Sequence, residues 1–289
     1  MTLSQDDKQF LTLYSDSEYE KPSVTVDAVI FRLINKEVKN YRKLPEKKLQ
    51  VFLTKRQYSP FKDHFSVIGT FINLNTELSN TMKLCVKNKA NLEHFYFEQL
   101  FTFGDKARDP RTRVLSVSYL LLTSDQEELT NGEWFDVTLV EQQNKTHELV
   151  NGYTQEKLFT IELSNQHHTL KNEIKVVVEK SELEQKKEII ITKTDLAFDH
   201  SKIIFYALDR LKNKLEYTDI IFNLLPKHFT LTELKQSYEI ILGEKLLDAN
   251  FRRKTAKMVS ATSEYLTGKG HRSSQLFKHN PNWIAINIE

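Results

Sequence analysis

The chain has 289 residues, 39% of them hydrophobic and 28% charged, with a formal net charge of +2. That is an ordinary globular mix with room for one large domain or two, and the near-neutral total points to no particular partner. The single Cys85 excludes an internal disulfide and fits a reducing compartment. No apolar run reaches the length of a membrane helix, and the mixed polar and acidic residues 1–22 do not read as a signal peptide, so a soluble cytoplasmic protein is expected.

In chain order, Val24–Leu33 is apolar and β-branched and predicts a buried strand, followed by a polar connection over residues 35–48. Leu49–Leu53 predicts a second strand, ending in Lys55 and Arg56. Leu78, Met82, Cys85 and Val86 recur at helical spacing. Phe95–Phe103 and Val114–Leu122 predict two more strands around a charged loop, and Trp134–Val140 another. This order of strand, helix and strand predicts an α/β or α+β sandwich. Residues 141–193 alternate polar segments with short β-like runs and are expected to form a β-rich extension of unassigned role. From residue 199 the period becomes helical, with Ser201–Leu215 and the shorter Thr218–Leu225. A third helix, Thr230 to Leu242, opens with a Thr-x-x-Glu capping box and stops at Gly243. Asp248 is expected to cap a fourth helix running to about Val259. Three helices and a two-stranded hairpin after them make the winged form of the helix-turn-helix.

The charge is concentrated at this end. Between Ala249 and Asn280 there are seven Lys or Arg and one acid, Glu264, so this stretch carries +6 against +2 for the whole chain. A basic helix beside a basic wing is a duplex-DNA footprint. Asn250, Arg253 and Lys257 are spaced to share one helical face, and Arg and Asn are the side chains that read guanine and adenine. Arg252 and Lys254 flank them, Thr230 and Thr232 open the preceding helix, and Lys269, His271 and Arg272 on the wing would meet phosphates or the minor groove.

Residues 69–92 (GTFINLNTELSNTMKLCVKNKANL) resemble a Nudix box, the phosphohydrolase signature, in length and apolar spacing. With the first box glycine at Thr70, the two aliphatic positions fall on Val86 and Leu92. The four glutamates fall on Thr76, Cys85, Asn88 and Lys89. A thiol, an amide and an ammonium cannot replace the oxygen ligands that hold Mg²⁺, so no hydrolysis, no metal and no cofactor are expected. Glu77 lies one residue off register.

The wider chain is similar to Nudix-related transcriptional regulators of NAD metabolism, the NrtR type. The resemblance rests on Val24–Phe31, Val51–Arg56, Phe95–Leu122 with its Gly104-Asp105 and Arg108-Asp109-Pro110-Arg111, Leu196–His200, Lys214–Thr218 and Asn250–Lys254. It implies an α+β chain: a Nudix-like α/β/α sandwich over residues 23–140, an extension over 141–194 and a winged helix-turn-helix over 195–289, after a tail of 22 residues. It also implies a homodimer that binds double-stranded operator DNA, usually as a repressor, and a small effector, ADP-ribose or a related nucleotide or sugar, that releases it. Arg56, Arg108, Arg111 and Arg113 are candidate diphosphate ligands because the guanidinium fork binds such oxygens without a metal. Phe103 could stack on a base, or Phe61 could close the pocket. His200 and the His167-His168 pair read as structural or surface residues. The rivals are an active hydrolase of nucleoside diphosphates, which needs the missing carboxylates, and a protein-interaction module built on the extension.

Overall fold

The computed structural model describes residues 3–15, 17, 19–36, 45–124, 129–266 and 273–283. An N-terminal helix, α1 (Gln5–Leu13), is capped by a Ser4–Asp7 capping box and buries no side chain; the sequence reading treated this segment as tail. Then come β1 (Ser23–Lys36), β2 (Glu46–Lys55), β3 (Phe65–Ser66), β4 (Ile68–Phe71), α2 (Leu78–Ala90), β5 (Tyr96–Phe103) and β6 (Val114–Thr123). β7 (Glu133–Leu149), β8 (Gly152–Ser164), β9 (Thr169–Ser181) and β10 (Gln185–Lys193) form a meander. α3 (His200–Lys214), a 3₁₀ turn (Ile220–Leu224), α4 (Leu231–Leu242), α5 (Asp248–Thr255), β11 (Val259–Leu266) and β12 (Ser274–His279) complete the chain.

One sheet organises the first ten strands, in the order β10-β9-β8-β7-β2-β1-β6-β5, with β3 paired to β2 and β4 to β1. The β1–β6 pair is parallel, joined through α2. β1 is buried on both faces, which is why it reads as a continuous apolar run rather than an alternating one. Val29, Phe31 and Leu33 face one core with α3, and Ala28 and Ile30 face the other with α2. The sheet thus lies between α2 on one side and α3 on the other, the expected α/β/α layering.

The expected boundary at residue 140 falls inside β7, which runs on to Leu149 through a bulge between Glu141 and Gln143. The extension is therefore a continuation of the sheet. Ile161, Leu163, Ile174, Val176 and Ile189 from its strands join the core under α3, where Phe159 meets Phe205 at 5.2 Å between ring centroids. α3 was read with the winged helix, yet it covers the large sheet. Arg210 Nη2 donates to the Leu100 carbonyl at 2.9 Å, and Lys214 pairs with Glu98.

The C-terminal helices follow the sequence reading in part. Thr230 caps α4 reciprocally with Glu233, and Gly243 ends it at φ 76°, a left-handed cap that glycine adopts without a Cβ clash. α5 differs: Leu247 is its N-cap, Asp248 its first residue, and it stops at Thr255. Met258 is buried in the turn that follows, and Val259 already pairs with His279 in the hairpin. A bridge between Phe229 and Phe277 adds a short third strand to the wing. Among the described residues no helix is long and apolar enough to cross a membrane.

Candidate ligand pocket and DNA-binding surface

α2 sets one wall of a cavity of about 560 Å³, within the roughly 300–1,000 Å³ usual for small-ligand sites. Its apolar stripe is Thr81, Met82, Cys85, Val86 and Ala90, all buried, whereas Leu78 is exposed. The helix ends at Asn91 with φ 57°. The box register puts its glycine at this left-handed position, and Asn is the residue that replaces glycine there most readily. Val86 and Leu92, the two aliphatic positions, are both buried. The polar positions divide. Asn88 and Lys89 line the cavity, but Cys85 is only 7% exposed and belongs to the core, and burial pushes its thiol pKa up. Cys85 is therefore not on the cavity-facing side with Asn88 and Lys89.

Lys89 Nζ donates to the Gly69 carbonyl of β4 at 2.5 Å. A fixed ammonium beside an amide repels a divalent cation and offers it one neutral oxygen. Asn88 and Lys89, at two of the box's carboxylate positions, thus bring no carboxylate to the cavity. Gly69 itself is needed because a Cβ there would fall 1.9 Å from Asp27 Oδ1.

The opposite wall is built by the β2 end, the loop after β5 and the start of α3. Lys55, Arg56, Arg108, Arg111, Phe198 and His200 all line it. Arg108 is buried and points its fork at Asp199, with Nε–Oδ2 at 2.9 Å and Nη2–Oδ1 at 2.8 Å, while Asp27 stands 3.7 Å away. Arg111 is held by Asp109 at 2.7 and 3.0 Å, which lowers the Asp109 carboxyl pKa and raises that of the guanidinium. Burial, and then the charge of Arg111, push the Arg56 pKa down. Lys55, Arg56 and Lys89 have no carboxylate partner among the described residues. The wall is thus cationic after its internal pairs are counted, which suits an anion.

His200 is buried at the N-terminus of α3, and its Nδ1 accepts from Val67 N–H at 3.3 Å. Burial lowers its pKa, so the ring is neutral with its proton on Nε2. His168 packs its ring on Phe65 at 5.0 Å.

Two expected ligand residues are elsewhere. Phe103 is 2% exposed and lies in the core, its ring 5.2 Å from that of Phe101 and 5.1 Å from that of Tyr206 of α3. Arg113 is exposed outside the cavity, where its carbonyl accepts from Ser23 N–H at 3.0 Å. Phe61 does not line the cavity but meets Phe198, which does, at 4.8 Å. Phe198, Lys89, Asn88 and Asp27 were not singled out as ligand residues; they come from three separate stretches of chain.

On the DNA side, Asn250, Arg252, Arg253, Lys254 and Lys257 are all exposed. Asn250 and Arg253 do share a face, 3.4 Å apart through Nη2 and Oδ1. Lys257 does not continue it, because α5 has ended; it sits in the turn, where its carbonyl accepts from Asn280. Lys254 Nζ stands over the Tyr238 ring at 5.3 Å, and burial lowers its pKa. Thr230 is buried with its hydroxyl committed to the cap, so it is a capping residue and not a DNA contact; Thr232 is exposed. Lys269, His271 and Arg272 lie outside the described residues. Lys235, which bridges Asp248 and Glu239, fixes α4 against α5 and was missed.

This is a mixed-sheet domain layered between α2 and α3 and carrying a C-terminal winged helix. Residues 221–279 match the NrtR DNA-binding winged helix domain. The chain is 28% identical over 278 residues to the ADPR responsive transcriptional repressor NtrR of Acinetobacter baylyi, covering 94% of this chain and 88% of the relative. Its fold is similar to a MutT/nudix family protein from Enterococcus faecalis, with TM-score 0.64 and 23% identity over 96% of this chain and 94% of the other. It is also similar to Shewanella oneidensis NrtR in complex with a 27mer DNA, with TM-score 0.58 and 23% identity over 89% and 94%. The chain shares the fold of these structures, and its C-terminal part matches that DNA-binding winged helix.

Proposed function

We propose that the chain is a cytoplasmic, ADP-ribose-responsive transcriptional repressor that binds operator DNA as a homodimer. The observation that carries this reading is the union, in one chain, of an exposed basic helix in a winged fold with a cationic pocket. The curated repressor from Acinetobacter baylyi, similar over nearly the whole chain, supports it. In this reading Asn250, Arg252 and Arg253 face base edges, and Lys257 meets phosphates. Arg56, with Lys55, Lys89 and Arg111, holds the diphosphate of the effector. The effector favours a dimer geometry in which two recognition helices no longer match half-sites one helical turn apart.

The test is fluorescence anisotropy with duplex DNA from upstream of the chain's own gene, with and without ADP-ribose. Tight binding that ADP-ribose weakens is the expected result. DNA binding no tighter than to random duplex, or indifference to ADP-ribose, refutes the reading. ADP-ribose with Mg²⁺ or Mn²⁺ is expected to stay intact, since Thr76, Cys85, Asn88 and Lys89 stand where the box glutamates would; measurable turnover would favour a hydrolase.

A further inference from the structure

Phe198 lies in the pocket with φ 53°, a left-handed backbone that a bulky aromatic residue adopts only under constraint. Something must hold it there. Its ring carries the guanidinium of Arg56 at 4.6 Å and that of Arg111 at 5.6 Å from the centroid, and the ring of Phe61 packs edge-on at 4.8 Å. The next residue is Asp199, anchored by the bidentate pair with buried Arg108. The backbone is thus pinned on one side and the ring gripped on the other.

A guanidinium over a ring keeps its N–H donors in its own plane for an anion; in Arg111 the Nη1 end remains beyond the Nε and Nη2 bonds to Asp109, and in Arg56 it remains beyond those from Nε and Nη2 to the Pro60 and Tyr58 carbonyls. Two arginines brought close without a ligand between them repel each other, and the electron-rich ring face offsets part of that cost. We infer that Phe198 is a positioning residue of the ligand site, which pre-organises Arg56 and Arg111 into a clamp for the diphosphate of a nucleoside-diphosphate effector. This rests on the reading of the pocket as an effector site. It assigns the ring to the arginines and not to the effector's base.

Pre-organisation of this kind shows as affinity, because side-chain ordering is completed before the ligand arrives. Isothermal titration with two probes, inorganic pyrophosphate and ADP-ribose, separates the possibilities. Phe198→Leu, which keeps bulk but removes the ring face, is expected to weaken both probes by a similar factor of about tenfold, equivalent to about 1.4 kcal/mol. Phe198→Tyr, which restores a ring, is expected to return both to the wild-type value. Should Phe198→Leu not fold, as judged by circular dichroism, Phe198→Met takes its place. Unchanged pyrophosphate binding in the ring-less variant overturns the inference, and a loss confined to ADP-ribose assigns the ring to the base. If the wild-type protein binds neither probe, the effector reading itself has failed and the inference falls with it.

Discussion

The pair formed by Arg108 and Asp199 is the most heavily buried ionic contact at the pocket, and removing one partner tests its role. Both side chains are under 10% exposed, with two charge-assisted hydrogen bonds at 2.8 and 2.9 Å. Asp199→Ala leaves the guanidinium buried with only Asp27 nearby, at 3.7 Å and already accepting from Ser116. Stranding one member of a buried pair costs about 3–5 kcal/mol, and the remaining Asp27 argues for the low end, about 3 kcal/mol. For a chain of this size that lowers the melting temperature by roughly 6 °C, at about 2 °C per kcal/mol. The assay is urea denaturation followed by tryptophan fluorescence, with thermal melts alongside. The double variant Arg108→Met with Asp199→Leu should recover most of the loss, because two apolar side chains strand no charge. A loss below about 1 kcal/mol in the single variant, or no recovery in the double, would refute the claim that this pair pins the start of α3 to the pocket loop.

Three further outcomes follow from particular contacts. Gly69→Ala drives a Cβ into Asp27 Oδ1 and should cost about 1–3 kcal/mol by denaturation, with Ser116 and Arg108 losing their shared acceptor geometry. Arg253→Ala should cost about 1–3 kcal/mol in operator binding and relax sequence preference, whereas Lys257→Ala should weaken all duplexes alike and reduce the salt slope by about one unit, both read by anisotropy across a salt series. His200 has its folded pKa depressed by burial, so the unfolded chain protonates first. Stability should therefore fall as pH drops below the ordinary imidazole value of about 6.5 and level off once the folded state also binds the proton; His200→Gln should lose that component, read as the difference between denaturation curves from pH 7.5 to 5.

The elements that carry one strong periodic signal were legible. β1 is apolar on both faces and declared itself as a run, and α4 carried a cap at each end, Thr230 and Gly243. Elements whose pairing supplies what their residues lack were not. β3 and β4 are two and four residues long and exist because β2 and β1 give them partners. β7 runs past residue 140 with exposed polar side chains because β8 pairs with it to the end. The pocket was half legible. Arginine is conspicuous in a loop, so Arg108 and Arg111 were found, but the same rule picked Arg113, two residues on and outside the cavity. Nothing local distinguishes Asp27 within a buried strand or Lys89 on a helix; only the packing of α2, β1 and β4 brings them to one wall. Phe198 had a signal in its motif, Leu-Ala-Phe-Asp-His, but the backbone angle that aims its ring is invisible in one sequence.

The position of α3 bears on how a pocket and a DNA surface can be one device. An effector shifts a conformational equilibrium by its differential affinity for the two states, and a rigid element that reaches both sites can carry that difference. α3 starts in the pocket with His200, next to Asp199, and runs 15 residues, about 22 Å at 1.5 Å per residue. Just past its far end Asp219 meets His279 of β12 at 3.0 Å, and His279 stacks on Phe222 at 4.4 Å. β2 makes a second tie, since Thr54 and Lys55 line the pocket while Glu46 and Lys47 at its other end lie against α4. Both elements are packed into the sheet's core, and packed helices and strands shift as units rather than stretch. In the proposed repressor, a change at Asp199 or Lys55 would therefore have packed elements, and no flexible linker at residue 195, between it and the wing and α4.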